Sequence, residues 1–170
     1  MLGPREVADR DNFYMGMAML YASKSKDPST QCGAVIISAE NKPLGWGYNG
    51  PPRLIDDNEM DWTREKKYPL IKHAEENAII HSCGCFEGAT LYVTGKPCPN
   101  CTLDMVAAEI PKVVYYPYIS KNKSSMLNNN KLWEETLDIA KRGNLELVEF
   151  SGDLSWIDTR CNWMRDNNIL

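Results

Sequence analysis

Two short stretches constrain this chain more than anything else in it: His73-Ala74-Glu75 and, after one strand-like run, Pro97-Cys98-Pro99-Asn100-Cys101. Cys98 and Cys101 are three residues apart at an expected helix start, so both sulfurs can lie on one face. The positive end of the helix dipole there favours thiolates, the form that binds metal. Pro97 and Pro99 suit such a start, because proline has no N–H to leave unpaired. His73 opens a second helix and can add a nitrogen. The fold must therefore bring two helix starts, with one strand between them, to a single point.

Three protein ligands of type Cys₂His leave one tetrahedral position of a zinc ion (Zn2+) open for water, as in catalytic rather than structural sites. A structural site would need a fourth protein ligand, and the nearby supply is His81, Cys83 and Cys85. They fall at the far end of the helix that begins at His73, more than about 10 Å away at roughly 5.4 Å per turn. H-x-C-x-C could hold a second metal, but a helix end carrying small half-buried thiols is the commoner case. Cys32 and Cys161 sit in strand and helix patterns and read as core. Glu75 need not be a ligand. Beside a zinc-held water it could take a proton and deliver it to a substrate, which suits hydrolytic attack on an amidine-like carbon.

The 170 residues point to one domain, and the net charge of −4 argues against a protein that coats polyanions. Arg5, Glu6, Asp9, Arg10 and Asp11 stand where a signal peptide would be apolar, and the longest apolar run, 15–22, is too short to cross a bilayer. A cytoplasmic protein without membrane association is expected. In that setting the six cysteines are not expected to form three disulfides, and the C-x-x-C spacing of two of them points to metal or redox use.

Phe13, Met17 and Leu20 recur at helical spacing after Asp9 and Asp11, and the helix should stop near Lys24, ahead of Asp27-Pro28. Residues 33–38 read as a buried strand, and Asn41-Lys42 turns into an antiparallel partner over 43–49. A long polar stretch with Pro51, Pro52, Asp56, Asp57, Asn58 and Pro69 follows, of the kind that is usually functional or disordered. Helices are then expected over 74–82, 100–108 and 131–142, alternating with strands over 90–94, 113–116 and 145–150. Leu154, Ile157, Cys161 and Met164 mark a last amphipathic helix. This order predicts an α/β domain with a mixed sheet covered by helices.

H-x-E followed by P-C-x-x-C is the known signature of zinc nucleobase deaminases. With these residues the chain resembles the deoxycytidylate (dCMP) deaminases of the cytidine deaminase superfamily. Four stretches match in order: SKDPSTQCGAVI (25–36), GWGYNGPP (45–52), HAEENAI (73–79) and PCPNC (97–101). The last two are shared across the superfamily, whereas SKDPS and GYNGxP are more particular to the dCMP branch. The resemblance implies a three-layer α/β/α cytidine deaminase-like fold with a mixed central sheet over residues 1–150. Residues 151–170 would form a helical extension packed on the same domain.

It further implies zinc on His73, Cys98 and Cys101, with Glu75 as proton shuttle. The reaction would convert dCMP to dUMP and ammonia, for thymidylate synthesis. By position, Asn49 should bond the deoxyribose and the backbone around Ala74 should read the cytosine edge. Lys24, Ser25 and Lys26 lie in the loop that resembles the phosphate end, and Tyr118 is the nearest candidate for a tyrosine that closes on substrate. Members of this type are often hexamers, activated by dCTP and inhibited by dTTP. Arg53, Asp56, Asp57, Trp62 and Arg64 fall in the resembling effector region, a mixture suited to a triphosphate, its Mg2+ and a base.

Two other readings stay open. One is a deaminase of another cytosine or adenine nucleoside or nucleotide, including dCTP or transfer-RNA adenosine. Editing of a nucleic acid would want a basic surface, of which the acidic composition gives little sign. The other is a non-catalytic zinc protein that binds nucleotides, for which Glu75 would have no purpose.

Overall fold

The computed structural model describes residues 6–117 and 130–166. Tyr118 lies outside them. Helix α1 spans Arg10–Ala22, with the Asp9 carboxylate accepting from the Asn12 N–H at 2.9 Å. Strand β1 (Gly33–Ile37) is buried along its whole length. It pairs with the antiparallel β2 (Pro43–Tyr48), and Asn41 in the turn has φ 62°, a left-handed conformation that Asn tolerates.

The polar stretch beyond β2 contains a four-residue helix α2 (Arg64–Lys67) and a 3₁₀ turn (Tyr68–Leu70) that the hydrophobic pattern did not show. There follow α3 (Ala74–Ile80), β3 (Thr90–Val93), α4 (Pro99–Ala107), β4 (Lys112–Tyr115), α5 (Asn130–Arg142), β5 (Glu146–Glu149) and α6 (Ser155–Asp166). The expected order of strands and longer helices is the one found.

The sheet order is β2-β1-β3-β4-β5, antiparallel as far as β3 and parallel from β3 to β5. Alternation along the strands separates two cores. Ala34, Ile36, Leu91, Val93 and Val113 face α3, α4 and α5, meeting Ala78, Met105 and Ala140. Val35, Ile37, Tyr92 and Val114 face α1 through Tyr14, Met15 and Ala18. The result is the three-layer α/β/α arrangement. Helix α6 adds to the α1 side, where Trp156 stacks on Phe13 with ring centroids 6.1 Å apart. Among the described residues, no helix is long and apolar enough to cross a membrane.

Two close contacts set the height of α3 above the sheet. A Cβ at Gly45 would come within 2.5 Å of the Ala78 carbonyl, and one at Gly47 would strike the Ala74 carbonyl. Glycine at both inward positions of β2 lets the helix backbone rest on the strand backbone. The outward neighbour Trp46 stacks on Tyr21 instead, at 5.8 Å between centroids.

Candidate active site

Because β1 and β3 are antiparallel, the start of one lies beside the end of the other. The Gly33 N–H donates to Thr94 Oγ1 at 3.0 Å, and the Thr94 N–H to the Gly33 carbonyl at 3.0 Å. Helices α3 and α4 both begin at this end of the sheet. His73 is the extended N-cap of α3, and its N–H donates at 2.8 Å to the carboxylate of Glu76, which Lys72 also holds at 2.5 Å. Cys98 is the N-cap of α4, its sulfur accepting from the Cys101 N–H at 3.5 Å.

The two caps meet. His73 Nδ1 lies 3.2 Å from Cys101 Sγ and 3.6 Å from Cys98 Sγ, and the three donor atoms lie within 4.8 Å of one another. Zinc bonds of about 2.3 Å to sulfur and about 2.0 Å to nitrogen, set tetrahedrally, space a sulfur and a nitrogen about 3.5 Å apart. The donor set therefore fits the ion in both chemistry and spacing. Among the described residues this is the one such cluster. His81 instead has its Nδ1 2.8 Å from the Asn77 carbonyl, and Cys83 and Cys85 are exposed.

The electrostatics of the cluster favour an anionic sulfur. Hydrogen bonding from Cys101, and then from His73, pulls the Cys98 thiol down to about 4, whereas the Cys98 sulfur and burial hold the Cys101 thiol high. The bond to Cys98 lifts His73 to about 9. Glu75, in the first turn of α3, is 5% exposed, and burial pushes its carboxyl up to about 7.

These groups form the floor of a cavity of about 390 Å³, roomy enough for a nucleotide-sized ligand. Ala74 and Asn49 line it as well. The Asn49 amide is largely committed: Oδ1 accepts from the Cys32 N–H at 2.7 Å and Nδ2 donates to the Thr30 carbonyl at 2.9 Å. One amide hydrogen is left for a ligand. Cys32, read above as core, sits half-buried in the cavity wall, and burial pushes its thiol up to about 12.

Of the three residues in the loop after α1, none lines this cavity. Ser25 Oγ donates to the Asn49 carbonyl at 2.8 Å, supporting that residue from behind. Lys26 reaches away to Asp57 at 2.7 Å, and Lys24 borders a shallow hollow beside Leu20 and Tyr21. In the expected effector region the Trp62 indole N–H donates to the Asp57 carbonyl at 3.1 Å, and the Asp56 carboxylate accepts from the Asn58 N–H at 2.9 Å. Arg64 lies over the Tyr68 ring at 4.9 Å, and Arg53 is exposed. Lys26, Asp57 and Trp62 are thus brought together, outside the cavity.

Sequence reasoning missed two parts of the wall. Lys67, 2% exposed, pairs with Asp27 at 2.6 Å and reaches Ser29 Oγ at 3.1 Å. Asp27 also accepts from the N–H groups of Ser29 (2.8 Å) and Thr30 (3.1 Å), so one ion pair fixes the loop that holds Asn49. Trp133 of α5 lines the cavity too, its ring edge-on to Tyr115 at 5.2 Å, with Lys96 Nζ 4.8 Å from its centroid. The helical spacing of Leu132, Trp133, Thr136 and Ala140 along α5 was the available signal for an inward face.

A three-layer mixed sheet that brings a His/Cys/Cys centre together with a buried glutamate defines a class, the zinc deaminases. Residues 8–117 match the cytidine and deoxycytidylate deaminase zinc-binding region, and the chain belongs to that family. It is 39% identical over 110 residues to a deoxycytidylate deaminase of Mus musculus, covering 61% of this chain and 62% of that one. The chain thus spans just over three fifths of the mammalian relative. An uncharacterized deaminase of Aliivibrio fischeri is 38% identical over 128 residues, covering 75% of this chain and 82% of that one. The fold is shared with the crystal structure of the dCMP deaminase of cyanophage S-TIM5 in complex with dCMP and dUMP. That match has TM-score 0.65 and 23% identity, and covers 81% of this chain and 94% of the other.

Proposed function

We propose that the chain is a zinc-dependent hydrolase that converts dCMP to dUMP and ammonia, supplying dUMP for thymidylate synthesis. The observation that carries this reading is the buried Glu75 beside His73, Cys98 and Cys101 on the floor of the cavity. His73, Cys98 and Cys101 would hold zinc, which when bound supplies acidification of a water molecule near neutral pH. Glu75 takes a proton from the attacking water and places it on the ring nitrogen N3 as oxygen adds to C4. It then passes the second proton to the amino group as the C4–N bond breaks and ammonia leaves. Burial keeps this carboxyl from exchanging its proton with bulk water.

The backbone around Ala74 reads the cytosine edge, and the free amide hydrogen of Asn49 bonds the sugar. Tyr118, outside the described residues, closes on the bound nucleotide. Regulation by dCTP as activator and dTTP as inhibitor, each with Mg2+, falls to Arg53, Asp56, Asp57, Trp62 and Arg64. Their loop follows directly on Asn49 and is tied to Lys26 by Asp57. The assembly is a homo-oligomer, with a hexamer favoured. Its partners are small nucleotides rather than nucleic-acid polymers, and it works in the cytoplasm, where free thiols such as Cys98 and Cys101 persist.

The test is ammonia release by zinc-loaded protein from dCMP, deoxycytidine and dCTP, each repeated with dCTP or dTTP plus magnesium. Turnover confined to dCMP, raised by dCTP and suppressed by dTTP, is expected. Release only from another cytosine or adenine compound would keep the chemistry and remove the substrate.

A further inference from the structure

The cavity is poor in usable positive charge for a ligand that carries a phosphate. Its acidic lining includes Asp27, Glu75 and Glu76. Of the lysines in its wall, Lys67 is held between Asp27 and Ser29, so its charge is already neutralised. Lys24 and Lys26, to which the sequence pointed, are outside. Lys96 differs from all of these. It is half-buried, lines the cavity and lies against the face of Trp133, and no carboxylate stands within ion-pair distance of it among the described residues.

An aromatic face holds an ammonium by its quadrupole without cancelling its charge. The Lys96 head is therefore oriented and still available, which lowers the ordering cost of gripping an anion. Its backbone is fixed too. The next residue, Pro97, accepts a hydrogen bond from Thr136 Oγ1 at 3.2 Å, which ties the segment to α5, and Cys98 follows directly as the cap of α4. Lys96 thus stands two residues from a candidate zinc ligand and lines the same cavity as Asn49, Asp27 and Lys67.

We propose that Lys96, steadied on Trp133, is the residue that selects nucleoside monophosphates over nucleosides by pairing with the phosphate. This rests on the deaminase reading for the identity of the ligand but not for the contact itself, so binding tests it separately from turnover. Zinc-loaded wild type, Lys96→Met and Lys96→Arg would be titrated calorimetrically with dUMP and with deoxyuridine, and assayed for ammonia release from dCMP and deoxycytidine. Methionine keeps the packing on Trp133, so all three proteins should show the same melting temperature.

A charge-assisted bond of this kind corresponds to roughly a ten- to hundredfold preference for the phosphorylated ligand. Lys96→Met should remove that preference by weakening dUMP alone, and Lys96→Arg should keep most of it. In turnover the loss should fall on KM for dCMP, with deoxycytidine unaffected. A preference for dUMP that survives Lys96→Met, or no preference in the wild type, overturns the proposal. Preferential dUMP binding that depends on Lys96, without release of ammonia from dCMP, supports this inference while overturning the proposed reaction.

Discussion

Replacing Lys67 by methionine isolates the buried ion pair it forms with Asp27 in the cavity wall. The side chains of Lys67 and Asp27 are 2% and 6% exposed, with Nζ 2.6 Å from Oδ1. Removing one partner of such a pair costs about 3–5 kcal/mol, because the remaining charge is left buried without compensation. Asp27 would keep the N–H groups of Ser29 and Thr30, which places the expected loss near the lower end, about 3 kcal/mol. In a chain of this size that corresponds to a melting temperature lower by roughly 6–12 °C.

Urea unfolding of the zinc-loaded protein measures the same loss as a shift in midpoint at constant slope. Adding Asp27→Asn should restore most of it, since the amide oxygen still accepts from both N–H groups and no charge is stranded. A Lys67→Met protein within about 1 kcal/mol of wild type would refute the reasoning. So would a double variant no more stable than the single one.

Glu75→Gln should keep its zinc content and melting temperature yet lose at least a hundredfold in ammonia release, the usual order for a lost proton shuttle. Normal turnover by that variant would sink the role given to Glu75. Gly47→Ala should cost roughly 1–3 kcal/mol in urea unfolding and depress activity, because the new methyl strikes the carbonyl at the first residue of α3; an unaffected variant would show that the helix can lift freely. Burial, aided by the bond to Glu149, pushes the Tyr115 phenol up to about 12. Between pH 10 and 12 the folded state keeps a proton that the unfolded state releases, so stability falls as pH rises through that window. Tyr115→Phe should lose this part of the pH dependence, and identical alkaline profiles would contradict it.

Much of this could be read from the chain. Strands β1 to β5 show as short apolar runs between turn residues, and the prolines on either side of Cys98 locate the cap of α4, because proline suits the first turn of a helix. What escaped was set by tertiary contact. Helix α2 is a single turn ahead of Pro69, too short to establish a period. Lys66 and Lys67 look alike in the sequence, yet the second turns inward because Asp27, forty residues earlier, is buried beside it. Lys26 shows the same limit: its place in the loop is legible, but its pairing with Asp57, thirty-one residues away in sequence, is not. Trp133 could be placed on a helix but not against a cavity, since that depends on how α5 crosses the sheet.

His73 and Cys101 are twenty-eight residues apart, and all of β3 lies between them. An ion shared by the two residues would close that segment into a ring whose middle is the central strand of the sheet. Unfolding with the ion still bound would leave β3 inside a closed loop, which removes chain entropy that the metal-free chain gains on unfolding. Removing the ion with a chelator would return that entropy to the unfolded chain and so lower the stability of the whole sheet, not of the helix ends alone.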